Sequence, residues 1–519
     1  MTHLVWFRKD LRILDNPALF AASQRAEANK LTANEKLTES TKLLAVFFIT
    51  EQQWQQHGMG QRQIQLLKNA VLELQQSLRS LNIPLLIINA GDFNNSLTLL
   101  QTLCSDLNID QVFFNHEYEL NEQQRDKRFS HWCDQNQITT HGFHDQCLVP
   151  PGKVLTASDT MFKVYSPFKR AWQKQVGHYQ QPPLGKPAAA DHHNIGTDLN
   201  GLDLPLLTLD YQPDELWQVA EAAAHQQLND FLDQRVQDYH ELRDIPSQPA
   251  TSQLSMALAL GLLSPRQCFY ACWQHSPGEL YKSRGELIGA KPGLDSWINE
   301  LIWREFYRHL MVAYPDLCKH KAFKPDTEQV PWRYDQADFQ AWCDGNTGYP
   351  IVDAAMRQLK QTGWMHNRLR MISAMFLTKH LLIDWRWGEA WFAEHLVDFD
   401  LASNNGGWQW SASTGADGAP YFRIFNPTSQ SQKFDSEGHF IVRYVPELLP
   451  LDPKQRHAPD NAKRRFCHYP QPVVDHQFGR QRALAAFKGE PLPLSACEQQ
   501  KQTDLFSPSA ADEVSNESI

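Results

Sequence analysis

Residues 404–413 read NNGGWQWSAS, which places two asparagines, two glycines and two tryptophans within ten residues. A single tryptophan is best explained by core packing, because its side chain buries a large area. The tryptophans near Gly406 and Gly407 indicate a ligand site in addition to core packing. Glycines let a backbone approach a large planar ligand closely, and asparagines such as Asn404 supply hydrogen bonds to its heteroatoms. The stretch therefore predicts a site for a planar ligand.

The residues around this stretch have helical periodicity, and strand signals are scarce from about 225 to 487. We therefore expect residues 226–487 to form an all-helical domain. The segments with helical periodicity are 220–238, 264–275, 296–313, 349–362, 367–382 and 388–397.

The first 150 residues have a different pattern. Apolar runs of strand length, at 3–7, 43–49, 84–88 and 111–114, alternate with helical segments such as 60–81. This alternation predicts an α/β domain over residues 1–150, with a parallel, Rossmann-like or flavodoxin-like sheet covered on both faces. The chain has no GxGxxG or Walker motif, so we expect no ordinary dinucleotide or ATP site.

Two other segments differ from both halves. Residues 151–225 hold several prolines among polar residues and are typical of a long surface linker. Residues 488–519 are polar and rich in small residues, which predicts a disordered tail. The prolines that mark the linker are Pro182, Pro183, Pro187, Pro205 and Pro213.

The net charge of −10 argues against a nucleic-acid partner, because phosphates are neutralised by lysine and arginine. However, Gly489 to Ile519 hold six acidic residues against Lys501, so half of the net charge lies in the tail. The rest of the chain is only mildly acidic, and a local basic surface remains compatible with the sequence.

Composition excludes several classes of protein. The sequence contains no run of about eighteen apolar residues, which a membrane span requires, and the N-terminus lacks the pattern of a signal peptide. The nine cysteines are scattered, without the paired spacing of a zinc site or the density of a disulfide scaffold. We therefore expect a cytoplasmic protein with reduced thiols, no metal site and no membrane association.

The segment WINELIWREFYR carries a second candidate site. At helical spacing, Glu300, Trp303 and Arg304 share one face with Trp297, which places a carboxylate between two indoles. The alternative is a Glu300–Arg304 ion pair on a solvated face.

The segment GWMHNRLRM begins a predicted helix with Asn367, Arg368 and Arg370, and such helix starts are natural phosphate sites. Asp398 and Asp400 lie just before NNGGWQW. They form either a structural ion pair with Arg370 or a set that orients a polar ligand edge.

Residues 251–255, TSQLS, precede an apolar helix. They are explained by a capping box, but three hydroxyls at a helix start also suit a pyrophosphate.

Together these segments carry a family resemblance. The succession YxxxRD, TSxLS, WxNELIWREFYRHL, GYPIVDAAMRQL, GWMHNRLRM, DxDLAxNNGGWQW and YFRIFNP resembles the photolyase/cryptochrome flavoproteins, most closely the class I cyclobutane pyrimidine dimer photolyases. The resemblance extends from Thr2 to about Asp475.

The resemblance implies a light-dependent DNA repair enzyme, a deoxyribodipyrimidine photo-lyase, that holds FAD in a U shape in its helical domain. Excited reduced FAD would donate an electron to the dimer, the two bonds between the bases would break, and the electron would return. The catalytic residues implied are Glu300, Asn404, Met371 and Asn367, with Asn404 facing flavin N5.

The resemblance also implies the residues around FAD. Two of them depart from the family pattern, since Gln253 stands where arginine is frequent and Phe399 where glycine is frequent. The implied FAD-binding residues are Tyr239, Thr251, Ser252, Gln253, Leu254, Ser255, Trp297, Arg304, Asn367, Arg370, Asp398, Phe399, Asp400 and Asn404.

A chain of tryptophans, Trp332, Trp385 and Trp408, resembles the relay that carries an electron from the surface to the flavin. The dimer would be flipped out of the duplex into a pocket, at a cost of a few kcal/mol. The residues implied to contact DNA or the dimer are Arg243, Glu300, Trp303, Asn367, Arg368, Met371, Trp410 and Arg423.

A second chromophore is expected as an antenna. Asn121 and Glu122, with Cys318 and Lys319, resemble the methenyltetrahydrofolate subtype, in which the pterin lies between the domains. A deazaflavin antenna remains an alternative.

Two other members of the family remain as alternatives. A cryptochrome would be a blue-light sensor without repair, but Asn404 and Met371 favour repair. A (6-4) photolyase would require a histidine pair in the pocket, and Asn367 with Arg368 does not supply one.

The tail holds a motif outside this resemblance. Gln502, Leu505 and Phe506 resemble the short peptide with which bacterial repair proteins bind the sliding clamp, although five loosely defined residues also arise by chance. We expect a monomer that binds UV-damaged nucleoid DNA largely independently of sequence.

Overall fold

The computed structural model describes residues 2–32, 41–179, 181–190, 204–275 and 292–493. The clamp-like motif at Gln502, Leu505 and Phe506 lies outside the described residues. Within the described ranges, no helix has both the length and the apolar character needed to cross a membrane.

The N-terminal half contains a five-stranded sheet in the order β3-β2-β1-β4-β5, in which all neighbouring strands are parallel. Both faces are covered, because Val5 and Phe7 pack into one apolar cluster whereas Leu4 and Trp6 pack into another. The predicted parallel α/β fold is therefore confirmed. The elements are β1 (Thr2–Phe7), α1 (Pro17–Thr32), β2 (Lys42–Ile49), α2 (Glu51–Gln56), α3 (Gln61–Arg79), β3 (Leu85–Asn89), α4 (Phe93–Asp106), β4 (Ile109–Asn115), α5 (Leu120–Gln135) and β5 (Thr139–Phe143).

The sequence analysis missed β5. This edge strand reads TTHGF and none of its residues is buried, so it lacks the apolar run that marked the other four strands. Its backbone pairing with β4, from Gln111 to Asn115, forms the strand without an apolar side-chain pattern.

The predicted surface linker contains a helix, α6 (Tyr165–Tyr179). This helix buries Phe168 and Trp172 completely, so the prediction of a surface connection is wrong for this stretch. Trp172 donates a hydrogen bond from its indole N–H to Glu305 in the helical half, 2.6 Å away. The helix therefore links the two halves of the molecule.

The C-terminal half is helical, as predicted. Its α-helices are α7 (Glu221–Gln234), α8 (Tyr239–Leu242), α9 (Ser255–Leu260), α10 (Pro265–His275), α11 (Pro292–Ala313), α12 (Gln336–Asp344), α13 (Pro350–Thr362), α14 (Asn367–Met375), α15 (Trp385–His395), α16 (Leu401–Ala412), α17 (Pro427–Phe434), α18 (His439–Tyr444), α19 (Pro453–Arg456), α20 (Asn461–Phe466) and α21 (His476–Lys488). Shorter 3-10 helices span Pro315–Lys319, Pro325–Gln329 and Pro446–Leu448.

Two helix boundaries differ from the predictions. The helix expected over 367–382 is α-helical only to Met375 and continues as a π-helix over Phe376–His380. The helix expected from residue 388 begins at Trp385, because Asp384 caps it by accepting a hydrogen bond from the backbone N–H of Arg386 at 3.0 Å.

Buried polar contacts fix the two halves against each other. Glu305 on α11 accepts backbone hydrogen bonds from Leu148 and Val149, in addition to the bond from Trp172. From the sheet side, the Arg12 guanidinium donates to the backbone oxygen of Gly261 at 3.1 Å. Because these groups are buried, the contacts hold one relative position of the halves.

Candidate functional site

The stretch NNGGWQW lies inside helix α16. Asp400 caps the helix by accepting a hydrogen bond from the backbone N–H of Ser403 at 2.9 Å. The Asp400 carboxylate also pairs with Arg308 of α11. Burial would raise the pKa of Asp400, but Arg308 and Arg304 hold it at about 2, so this cap stays ionised.

The two glycines of the stretch have different surroundings. A Cβ on Gly406 would lie 2.2 Å from Cδ1 of Tyr307, so this glycine permits close packing of α16 on α11. Close packing on Tyr307 is thus a reason for glycine at position 406 that the sequence analysis did not anticipate. A Cβ on Gly407 would meet no atom within 4 Å, and Gly407 is exposed although it lies in mid-helix. Open space therefore lies next to the Cα atom of Gly407.

The Asn404 side chain is buried and oriented by its neighbours. Its amide nitrogen donates to the backbone oxygen of Glu389 at 3.0 Å. The Glu389 carboxylate accepts from Asn405 at 2.8 Å and pairs with His320 at 2.8 Å. Because its nitrogen is engaged, Asn404 presents its amide oxygen to a hydrogen-bond donor.

Asp398 supplies an acceptor without a partner. One of its carboxylate oxygens pairs with the Arg370 guanidinium at 2.8 Å, and Arg370 also donates to the backbone oxygen of Met365 at 2.8 Å. The other oxygen, Oδ1, is buried and has no hydrogen-bond partner among the described residues. Buried acceptors in proteins are normally satisfied, so this atom suits an N–H donor of a ligand.

Residues 251–255 do not form a capping box. Helix α9 begins only at Ser255, and its cap residue Leu254 makes no side-chain capping bond. Instead, the hydroxyl of Ser252 lies 3.2 Å from the Trp297 indole nitrogen, and the hydroxyl of Ser255 lies 3.4 Å from that of Trp364. The predicted serines are thus placed by indole N–H groups.

The remaining residues of the predicted FAD set lie on neighbouring elements. Tyr239 and Trp297 both contact the ring of Phe231, at centroid distances of 5.6 and 5.2 Å. Gln253 is exposed with φ of 53°, whereas Asn367 is exposed at the start of α14. Thr251 is half-buried, and the backbone oxygen of Phe399 accepts from Gln63 of α3 at 2.9 Å.

Arg304 is half-buried and lies against backbone oxygens. It donates to Gln146 and, at 3.4 Å, to Leu258. Burial and the neighbouring Arg308 lower the pKa of Arg304 to about 10. A cation in this position is stabilised by an anionic ligand.

Glu300 does not pair with Arg304. Its carboxylate pairs with Arg243 at 2.6 Å, and Arg243 also donates to the Ser296 hydroxyl at 3.0 Å. The alternative of a solvated Glu300–Arg304 pair is therefore wrong. Burial raises the pKa of Glu300, whereas Arg243 acts in the opposite direction.

Glu300 lines a cleft of about 600 Å³ between α6 and α11. Trp303 lines this cleft and stacks face to face on Tyr165, with ring centroids 3.6 Å apart and planes at 5°. Lys169 and Arg170 of α6 line the same cleft and give it positive charge. The sequence analysis missed Tyr165 and the two cations because it treated α6 as linker.

Arg368 and Arg423 line a second cleft of about 460 Å³. Arg368 pairs with Asp244 at 2.6 Å, whereas Arg423 is exposed and lies 6.0 Å from the ring of Trp410. Met371, on the same helix as Arg368, is half-buried. Five of the eight predicted DNA contacts therefore line these two clefts, whereas Asn367, Met371 and Trp410 line neither of them.

The three tryptophans of the proposed relay are buried, and Trp332 is 8% exposed. Gly388 lies one turn after Trp385, and a Cβ on it would lie 2.1 Å from the ring of Trp408. The backbone N–H of Arg333 donates to Leu382 at 2.7 Å, which places Trp332 beside the start of α15. The structure thus gathers the three around one helix.

The four predicted antenna residues line one cavity of about 330 Å³. Asn121 and Glu122 lie at the start of α5, and Cys318 and Lys319 come from the helical half. The side-chain nitrogen of Asn121 lies 2.9 Å from His57, and Oε2 of Glu122 is buried without a partner among the described residues. The cavity extends inward to the carboxyl ends of β1 and β2.

Comparison with known families assigns both halves. Residues 3–188 match the family model for DNA photolyase, and residues 297–489 match that for the FAD binding domain of DNA photolyase. A deoxyribodipyrimidine photo-lyase of Escherichia coli K12 is 43% identical over 494 residues, covering 94% of this chain and 98% of that protein.

Solved structures have the same fold. A bacterial class III photolyase from Agrobacterium tumefaciens superposes with a TM-score of 0.77 at 34% identity, over 94% of this chain and 97% of that one. A cryptochrome from Synechocystis sp. PCC6803 superposes with a TM-score of 0.77 at 26% identity, over 94% and 98% of the two chains. Repair enzymes and a cryptochrome thus share this architecture.

Proposed function

The chain belongs to the DNA photolyase family, and from this premise we propose how its residues carry out the reaction. It binds FAD and acts as a deoxyribodipyrimidine photo-lyase, a light-dependent enzyme that repairs cyclobutane pyrimidine dimers in DNA. The roles of individual residues, the antenna and the tail partner are our proposals. The observation that supports them best is the buried Oδ1 of Asp398, which has no hydrogen-bond partner among the described residues.

We propose that FAD lies against α16. When bound and reduced, it supplies the electron that splits the dimer in light. Asp398 would accept a hydrogen bond from the edge of the flavin ring, Asn404 would present its amide oxygen to N5, and the open space at Gly407 would admit the ring system. Arg304, Ser252 and Ser255 would lie near the phosphates and the ribose of FAD.

For the dimer, we propose the cleft beside Glu300. Trp303, fixed by its stack on Tyr165, forms one wall, and Trp410 forms another. A dimer must leave the duplex to reach this cleft, which costs a few kcal/mol. Met371 and Asn367 complete the wall on the α14 side.

Arg243 and Glu300 form a pair that DNA would open. A backbone phosphate competes for Arg243, as it does for Arg368 and Arg423, and these contacts fix position without reading sequence. Glu300 then loses its cation, which raises its pKa further and favours the protonated form. Protonated Glu300 can donate a hydrogen bond to a base carbonyl and stabilise negative charge there.

We propose that Trp408, Trp385 and Trp332 pass an electron inward to oxidised FAD. Their burial and succession around α15 support this role. The relay serves to restore the reduced cofactor and takes no part in splitting the dimer.

For the antenna we propose methenyltetrahydrofolate in the 330 Å³ cavity. A pterin offers adjacent N–H donors on one edge, and the unpartnered Oε2 of Glu122 accepts such a donor. A deazaflavin is the alternative. Extraction of the bound chromophore would identify the antenna. A Glu122→Gln variant is expected to lose the antenna and keep FAD.

We further propose that the chain acts as a monomer on nucleoid DNA and binds the sliding clamp through Gln502, Leu505 and Phe506. A tail peptide is expected to bind purified clamp, and Leu505→Ala with Phe506→Ala is expected to abolish binding. Absence of binding at high micromolar peptide would reject the clamp proposal alone.

Repair itself is tested with UV-irradiated duplex DNA and the reduced protein, in blue light and in darkness. We expect light-dependent loss of thymine dimers, and a large reduction of that loss in Glu300→Ala. Glu437→Ala, a change of an exposed acid that lines neither cleft, is the matched control and should repair normally. Flavin binding without repair in either condition would favour a cryptochrome-type sensor.

A further inference from the structure

A second row of aromatic rings connects Trp408 to the surface. Ring centroids lie 6.0 Å apart between Trp408 and Trp342, and 5.9 Å apart between Trp342 and Phe339. The row continues from Phe339 to Trp387 at 5.0 Å and from Trp387 to Tyr334 at 5.7 Å. This row includes neither Trp385 nor Trp332.

The two routes end in different surroundings. Trp332, the outer tryptophan of the proposed relay, is 8% exposed, whereas Tyr334 is 64% exposed. A dissolved reductant must contact a ring to return an electron to it efficiently. Of these two, only Tyr334 is accessible to such a molecule.

Tyr334 also has a proton acceptor in place. Its hydroxyl donates to Oδ2 of Asp384 at 3.3 Å, and Asp384 is nearly buried at the start of α15. Burial and Asp384 raise the pKa of Tyr334, so the phenol keeps its proton at neutral pH. Oxidation of a neutral tyrosine requires loss of this proton to a base within hydrogen-bond reach.

The charged groups around this contact are few. The Arg386 guanidinium lies 3.3 Å from Oδ1 of Asp384, and it is paired in turn with Glu328 at 2.6 Å. The backbone N–H of Arg386 also donates to Oδ1. Oδ2 of Asp384 faces the phenol and also lies 3.4 Å from the Arg386 guanidinium, so the phenol and this cation share that oxygen.

We propose that Tyr334 is a terminal electron donor to the tryptophan relay and that Asp384 accepts its proton. This inference rests on the proposed role of Trp408 in carrying an electron to FAD. Tyr334 gives one electron to the oxidised Trp387 ring, which returns to a neutral indole. The O–H bond of Tyr334 breaks, its proton bonds to Oδ2 of Asp384, and a neutral tyrosyl radical remains. A dissolved thiolate then returns one electron, becoming a thiyl radical, and Asp384 returns the proton.

The test uses the full chain with oxidised FAD, excited by a light pulse and followed by transient absorption and by freeze-quench electron paramagnetic resonance. We expect a tyrosyl signal to appear as the tryptophanyl signal decays. Tyr334→Phe should abolish the tyrosyl signal and lengthen the tryptophanyl lifetime. Asp384→Asn keeps a capping side chain but removes the base, and should slow tyrosyl formation by about 100-fold or more.

Tyr421→Phe is the matched control. Tyr421 is 38% exposed and stacks on Phe487, which in turn contacts Trp332, so it is the other exposed tyrosine near the relay among the described residues. Its removal should leave the tyrosyl signal unchanged. Trp387→Phe should slow tyrosyl formation while the tryptophanyl signal still forms.

The outcomes separate this inference from the proposed relay. A tyrosyl signal that persists in Tyr334→Phe, or is lost in Tyr421→Phe, would overturn the assignment to Tyr334. Tryptophanyl formation without any tyrosyl signal in the unchanged chain would overturn it as well and leave the relay intact. If the unchanged chain forms neither radical, the proposed role of Trp408 itself fails. Unchanged kinetics in Trp387→Phe would overturn the route through that ring.

Discussion

Two adjacent glycines of α16 permit a test of where the flavin lies. Gly406→Ala would place Cβ 2.2 Å from Cδ1 and 2.3 Å from Cε1 of Tyr307. Such overpacking costs about 1–3 kcal/mol, and the gain in helix propensity of about 1 kcal/mol offsets only part of it. We therefore expect Gly406→Ala to lower the melting temperature of the flavin-free protein.

Gly407→Ala should act in the opposite direction on stability. Its Cβ would meet no protein atom within 4 Å, so the flavin-free protein gains helix propensity of about 0.5–1 kcal/mol. If the flavin ring lies against this face, the added methyl group overpacks the bound state by about 1–3 kcal/mol. That corresponds to a Kd for FAD weaker by roughly 5- to 150-fold.

The assay has two readouts on deflavinated protein, thermal unfolding followed by circular dichroism and titration with FAD followed by its fluorescence. The reasoning predicts that Gly407→Ala unfolds at a higher temperature and binds FAD more weakly. A Gly407→Ala protein with the same Kd as the unchanged chain would refute the placement of the flavin against α16. A Gly406→Ala protein with unchanged melting temperature would refute the packing argument at Tyr307.

Three further results are expected. Asp398→Asn should weaken FAD binding by about 1–3 kcal/mol, since it replaces the unpartnered acceptor by a group that can also present a donor, and titration with FAD measures this. Trp408→Phe should abolish light-driven reduction of bound oxidised FAD, whereas protein whose FAD is reduced chemically should still repair dimers. Loss of repair after chemical reduction would contradict the relay role. Burial raises the pKa of Glu305 to about 7; because the folded state then holds this proton more tightly, stability should fall as pH rises from about 4.5 through 7. Glu305→Gln should remove that slope in melting temperature, and an unchanged slope would contradict the assignment.

The sequence predicted the fold class because strand and helix periods differ strongly in the two halves. It missed β5, whose pairing with β4 needs no apolar pattern, and it missed α6. That helix was hidden because its neighbours in sequence are rich in proline and polar residues, although Phe168 and Trp172 are fully buried. Local composition cannot show that a helix among polar segments is covered by a distant one.

The sequence predicted which residues form the candidate site better than it predicted which residues pair with each other. The ion pair of Arg370 with Asp398 was anticipated from the two segments that carry it. The partner of Glu300 was not, because Arg243 lies 57 residues away in sequence and is brought near by the contact of α8 with α11. Likewise, the adjacent glycines look equivalent in sequence, and only the position of Tyr307 distinguishes a packing contact from an open face.

Helix α16 lies at both proposed chromophore sites. Phe399, just before the helix, and Leu401, at its start, line the proposed antenna cavity, whereas Asn404 and Gly407 belong to the proposed flavin site. From residue 401 to 404 the helix rises only about 4.5 Å. If both chromophores bind as proposed, a rigid helix of this length would fix their separation and mutual angle, on which the efficiency of radiationless energy transfer depends. An antenna chromophore that absorbs at another wavelength could therefore replace the first during evolution without a change in the separation or orientation of the two chromophores, provided that it fits the same cavity.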